Sequence, residues 1–258
     1  MTEFIPSKRS FVGRVFRLPL AMIPKGRVVR VLLGPGRGLR WVHGSGPASV
    51  WLGFNEVLKR RAFARTLRPG DVVYDIGAHV GSYTLLASRL VGEAGRVLAF
   101  EPDPASRGFL REHVLLNAAE NVEVREEAVS SEVGRARFES TPDRVTSRLR
   151  ASGRLEVVTT TLDRVVREGA PAPSCLKIDV EGGEVAVLEG AREVLRQCRP
   201  SIFLATHGAR EDRECRGLLR SLGYDLWSFR FHPDELFGAP SRERAVPGRD
   251  LLLCRAEG

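Results

Sequence analysis

The sequence predicts an α/β fold, a largely parallel sheet with helices on both faces, and three observations carry that expectation. From residue 72 onward, short apolar runs alternate with segments of helical spacing, which is the pattern of strands joined by right-handed helical crossovers. Two of the runs, 72–76 and 175–179, each deliver an acid and then glycine to a turn before a helix. In the first, Val72-Val73-Tyr74-Asp75-Ile76-Gly77-Ala78-His79-Val80-Gly81, Gly77 and Gly81 let the backbone approach a ligand where a Cβ would collide. Ligands of such sheets sit beyond the carboxyl ends of the strands.

Taken in order, residues 1–50 read as a basic accessory segment rich in Gly, Pro and Arg, with strands near 27–33 and 39–43. A helix over 56–65 is stopped by Pro69-Gly70, and residues 51–258 form the main domain. Strands are expected at 72–76, 96–101, 121–125, 175–179, 201–206, 224–229 and 250–254, with helices at 82–91, 104–117, 183–197 and 211–221. The interval 129–161 breaks this rhythm. Strand-like pieces at 134–139 and 155–160 flank a polar, Arg-rich linker over 140–153, an insertion that either lies over a pocket mouth or is an ordinary solvated hairpin.

With 258 residues, 43% of them hydrophobic, the chain can bury one sizeable core. The net charge of +8 is concentrated at the start, since residues 1–40 hold nine Lys/Arg against the single acid Glu3. Only Lys8, Lys25, Lys59 and Lys177 of the 40 basic residues are lysine, a skew that fits codon bias in a GC-rich bacterial genome better than a nucleic-acid footprint. Cys175, Cys198, Cys215 and Cys254 are scattered, with no metal-ligand spacing, and a reducing cytoplasm is the expected setting. The apolar piece at 18–23 is short and interrupted by Pro19, so neither a signal peptide nor a membrane span is expected there.

The chemistry concentrates in three places. The run 96–100 leads to Glu101-Pro102, and an acid there can accept both hydroxyls of a ribose. The glycines are spaced Gly-x-x-x-Gly rather than Gly-x-Gly-x-x-Gly, so the pocket suits a nucleoside without a diphosphate and disfavours a dehydrogenase. Alternation through Leu176-Lys177-Ile178-Asp179-Val180-Glu181-Gly182-Gly183-Glu184 puts Lys177, Asp179 and Glu181 on one side. Three charges on a central strand must pair or face a ligand, and a structural Lys177–Asp179 ion pair competes with a functional role. Asp-x-Glu could hold a divalent cation, but with no His or Cys spaced to join it no metal is expected. His207, after the apolar run 201–206, is the best general-base candidate, although a lone histidine there is often only a capping residue. His79 shapes its glycine turn or touches a cofactor. His43, His113 and His232 read as structural.

Together with Asn117, Ala128-Val129-Ser130, Thr161-Leu162-Asp163 and Leu188-Glu189-Gly190-Ala191, these motifs resemble the FkbM family of S-adenosylmethionine-dependent methyltransferases over about residues 51–224. The resemblance implies a class I methyltransferase (Rossmann-like) sheet of seven mostly parallel strands, one antiparallel near the edge, with S-adenosylmethionine as cofactor. It implies that Asp75, Gly77, His79 and Gly81 line the methionine end, that Glu101 beside Pro102 holds the ribose, and that the Glu127-Ala128 turn lies near the adenine. Asp179 would face the transferable methyl. Many relatives carry a glutamate two residues before the histidine, where this chain has Ala205, which shifts the catalytic role onto Asp179, Glu181 and His207. The function expected is O-methylation of a small-molecule or glycan hydroxyl. N-methylation of an amine or RNA base and a non-catalytic cofactor-binding scaffold are the alternatives, and the oligomeric state, a homodimer included, stays open.

Overall fold

The computed structural model describes residues 23–53, 55–140, 148–150, 152–228, 241–242 and 251–256. Residues 1–22 of the basic N-terminal segment, His232, and residues 229 and 250 of two expected strands lie outside them. In chain order, a short ribbon of β1 (Val28–Arg30) and β2 (Arg40–Val42) leads to α1 (Ala48–Leu52) and α2 (Val57–Thr66). The strand–helix alternation follows as β3 (Val72–Ile76), α3 (Ser82–Val91), β4 (Arg96–Phe100), α4 (Pro104–Leu116) and β5 (Val122–Arg125). A small sheet interrupts it, with β6 (Ala128–Val129), β7 (Gly134–Glu139), β8 (Arg148–Leu149) and β9 (Leu155–Thr160). After it come α5 (Leu162–Arg167), β10 (Cys175–Ile178), α6 (Glu184–Glu189), α7 (Arg192–Gln197), β11 (Ser201–Ala205) and α8 (Ala209–Ser221). The chain closes with β12 (Tyr224–Ser228), β13 (Ser241–Arg242) and β14 (Leu251–Ala256).

The main sheet has the order β13-β12-β14-β11-β10-β3-β4-β5. Its five strands β11, β10, β3, β4 and β5 are mutually parallel, and β14 runs antiparallel to β11. Among the described residues the sheet therefore has eight strands rather than the expected seven, the added one being the two-residue edge strand β13, paired antiparallel with β12. The order reverses between β3 and β10, where consecutive crossovers leave in opposite directions and open a crevice at the carboxyl ends.

Side-chain alternation sorts the core onto the two faces of this sheet. Tyr74, Ile76, Leu98, Phe100, Leu176, Ile178, Ile202 and Leu204 meet residues of α5 to α8, among them Leu162, Leu188, Leu195 and Leu219. Val73, Val97, Cys175 and Phe203 point the other way, onto Phe63, Leu86 and Val91 of α2 and α3. Each large side chain buried in this way stabilises the fold by roughly 1.5–3 kcal/mol.

The expected helix over 183–197 is two helices. Gly190 sits between them, and a Cβ there would lie 2.0 Å from the Ser130 carbonyl oxygen. The Asp163 carboxylate then accepts the backbone N–H groups of Glu193 (3.1 Å) and Val194 (2.9 Å), starting α7 afresh. The insertion closes into a sheet of order β6-β9-β7-β8, more extensive than a hairpin. The N-terminal ribbon is fastened to α4 through His113, whose Nε2 accepts from the Val42 N–H at 3.0 Å while its Nδ1 meets the Val80 carbonyl at 2.7 Å. Trp41 stacks on the same ring at 4.0 Å, so His113 is structural, as the sequence predicts. His43 is too: its Nδ1 lies 3.3 Å from the Pro24 carbonyl and its ring meets Trp51 edge-on.

Candidate active site

A cavity of about 390 Å³ opens at the carboxyl ends of β3, β4, β10 and β11. The turn after β3 forms its floor. Gly77 has φ +77°, and a Cβ there would fall 2.0 Å from the Asp179 carbonyl oxygen, so only glycine lets the β3 and β10 turns touch. The backbone N–H groups of Gly77 and Ala78 both donate to the Phe100 carbonyl, at 3.1 and 3.0 Å, which ties this turn to β4 as well.

Glu101 follows β4 directly and is 6% exposed. Its Oε2 accepts the His79 N–H at 2.7 Å and its Oε1 the Asp103 N–H at 2.8 Å. Burial outweighs these two bonds and pushes the carboxyl up to about 7. Pro102, Glu127 and Ala128 line the same side of the cavity, with Glu127 held 3.5 Å from Arg125.

Across the cavity, three charged residues from the β10 turn and one from the end of β11 come together. Lys177 Nζ bridges Asp75 Oδ1 (3.6 Å) and Asp179 Oδ2 (3.3 Å) beneath the cavity wall. Burial pulls the lysine down, but the two carboxylates outweigh it and hold its charge. Asp179 is likewise drawn up by burial and, more strongly, down by Lys177 and His207. The ion pair weighed against a functional role is thus present, and Asp179 still lines the cavity. His207 Nε2 lies 3.5 Å from Asp179 Oδ1 and 3.4 Å from Glu181 Oε1. Burial lowers the imidazole, but the hydrogen bond to Glu184 and the charges of Asp179 and Glu181 raise it beyond its ordinary value. Burial also raises Glu181, against the pull of His207.

The structure thus brings Gly77, His79, Glu101, Pro102, Glu127, Ala128, Asp179, Glu181 and His207 to one cavity. Asp75 and Gly81 are corrections to the expected lining. Asp75 is 1% exposed and turned onto Thr84 Oγ1 at 2.6 Å, so it acts on the cavity through Lys177. Gly81, at φ +92°, faces Leu110, whose Cδ1 would lie 2.5 Å from a Cβ, and it serves the start of α3. The fold also supplies what the Asp-x-Glu spacing lacked. Asp179, Glu181 and His207 each place one ligating atom within 4.8 Å of the others, so a divalent cation could bridge them.

Other wall residues carried no legible motif. Pro47, Val50, Asn55, Glu56 and Lys59 come from the segment before β3, and Phe138 and Leu149 from the small sheet, so both the N-terminal region and the insertion reach the cavity. Tyr83 adds its ring beneath Lys177, 5.1 Å from Nζ. Glu184 lies behind the cavity and binds His207 Nδ1 at 2.7 Å.

The chain is similar to known methyltransferases. The chain is 26% identical over 170 residues to the hexuronic acid methyltransferase AglP of Haloferax volcanii, covering 65% of this chain and 69% of that protein. It is 37% identical over 93 residues to the 31-O-demethyl-FK506 methyltransferase FkbM of Streptomyces tacrolimicus, about a third of each chain (35%). Among solved structures, the FkbM methyltransferase of Methylobacillus flagellatus KT superposes with a TM-score of 0.51 at 17% identity, over 80% of this chain and 52% of that one. The SAM-dependent O-methyltransferase of Thermotoga maritima superposes with a TM-score of 0.50 at 14% identity, over 95% and 81%. These two share the class I methyltransferase fold. A family model described as the methyltransferase FkbM domain matches residues 75–226, which span the crevice from the glycine turn of β3 through His207, and the chain belongs to that family of methyltransferases.

Proposed function

We propose that the protein transfers the methyl group of S-adenosylmethionine to a hydroxyl of a small molecule or glycan. The observation that carries this reading is the buried Glu101 carboxylate facing, across one cavity, the Asp179–Glu181–His207 cluster. The cavity volume falls within the range of small-ligand sites. Gly77 lets the β3 and β10 turns meet beneath the cavity, and the Glu101 carboxylate, with one backbone N–H on each oxygen, retains acceptor capacity for ribose hydroxyls. Glu127 and Ala128 flank the place for an adenine, and Gly77 and His79 the methionine portion.

When bound, the cofactor supplies an electrophilic methyl on a sulfonium. The chain's own part is to attract, orient and deprotonate. The acidic wall favours a cation, and holding the acceptor oxygen in line with the methyl can contribute ~7 kcal/mol or more. The acceptor hydroxyl docks against Asp179, Glu181 and His207, and its proton passes to His207 Nε2, where the two carboxylates stabilise the imidazolium. Specificity for the acceptor falls to Asn55, Glu56, Lys59, Phe138 and Leu149, which carry the rest of the wall. The names of AglP, a hexuronic acid methyltransferase, and FkbM, a 31-O-demethyl-FK506 methyltransferase, support an oxygen acceptor.

Incubating the protein with methyl-labelled S-adenosylmethionine and fractionated host extract tests the reading. Label should enter a small-molecule or glycan fraction and be lost with His207→Asn. Label entering RNA would favour the base-methylating alternative, and cofactor binding without transfer to any fraction would favour the scaffold.

A further inference from the structure

The Asp179–Glu181–His207 cluster has a fourth member that does not line the cavity. Glu184 is the first residue of α6 and is fully buried. Its Oε1 accepts the Gly182 N–H at 3.0 Å and lies 2.7 Å from His207 Nδ1. An oxygen already receiving an N–H is acting as an acceptor, so at this short distance Nδ1 is the donor.

We propose that Glu184 is the positioning residue of the base: it holds the neutral His207 as its Nδ1–H tautomer, so that Nε2 is the nitrogen left to face the cavity. This rests on the reading of His207 as the base.

Three further observations support it. Gly182, at φ +103°, and Glu184 together turn the chain so that the carboxylate sits behind the imidazole while Asp179 and Glu181 stand in front. Nε2 is left on the cavity side, 3.4–3.5 Å from those two carboxylates. The charged groups around the imidazole are Asp179 and Glu181 on the β10 turn and Glu184 on α6, with Lys177 offsetting Asp179 from beneath. A carboxylate oriented against the far nitrogen fixes tautomer and ring orientation and raises the basicity of the near one.

The test needs no acceptor. In protein with ¹⁵N-labelled histidine, long-range proton–nitrogen correlation spectra distinguish the tautomers, and His207→Asn identifies the His207 signals among the five histidines. The wild type should show His207 protonated on Nδ1 at high pH. Glu184→Leu, which removes the acceptor, should shift the tautomer population severalfold toward Nε2–H. Glu184→Gln, which keeps an acceptor oxygen, should retain more of the Nδ1–H form than Glu184→Leu does. Calorimetry with S-adenosylhomocysteine serves as the check on folding, because Glu184 does not touch the cavity. An Nε2–H tautomer in the wild type overturns the proposal by itself, even if both variants fail to fold. An unchanged Nδ1–H tautomer in a folded Glu184→Leu protein overturns it equally. Absence of S-adenosylhomocysteine binding by the wild type would instead sink the methyltransferase reading and leave the tautomer result standing.

Discussion

Glu101 shows how one side chain couples pH, folding and ligand affinity. Its carboxyl, buried and raised to about 7 from the ordinary 4.5, binds its proton more tightly in the folded than in the unfolded chain. Its contribution to stability is therefore full below pH 4.5 and fades as pH rises through about 7. On the proposed function, cofactor binding would have the opposite preference, because ribose hydroxyls would donate to the ionised form. Affinity for S-adenosylhomocysteine, followed by calorimetry from about pH 6 to about pH 8, should rise with pH, and Glu101→Gln should flatten that rise. Much of this site was legible because acids at strand ends are costly unless used, which marked Glu101, Asp179 and Glu181. Asp75 was misplaced at the cavity because alternation gives its face of the sheet but not the Thr84 hydroxyl that claims it. Glu184 was visible only as part of a family motif. Its role depends on His207, 23 residues away in sequence, and no local pattern states that contact.

At the scale of elements, local periodicity carried the central strands and long helices, since alternating burial and helical spacing are written into short windows. The break in the 183–197 segment was not, because it is imposed from outside by the Ser130 carbonyl against Gly190 and by Asp163 capping α7. Removing that cap with Asp163→Ala should cost ~1–2 kcal/mol, measured as an earlier denaturation midpoint at unchanged slope. A stability equal to wild type would mean that α7 starts without help from α5. The short strands β6 and β8 were equally hidden, because two-residue strands depend on the neighbour they pair with rather than on their own sequence.

For the molecule as a whole, the boundary near residue 50 divides the chain more sharply than the structure does. The ribbon of β1 and β2 is stacked and hydrogen-bonded onto α4, and Pro47 and Val50 stand in the cavity wall. No helix among the described residues is long and apolar enough to cross a membrane. What unites the parts is a crevice where the sheet order reverses, lined by Glu101 and by Asp179, Glu181 and His207. Titrating S-adenosylmethionine into the wild type and into Glu101→Ala by calorimetry tests this most directly. One cofactor should bind per chain, displaced by S-adenosylhomocysteine, with affinity falling roughly 10- to 100-fold in the variant as a charge-assisted hydrogen bond is lost. Equal affinity in both proteins, or no binding by the wild type, would contradict it.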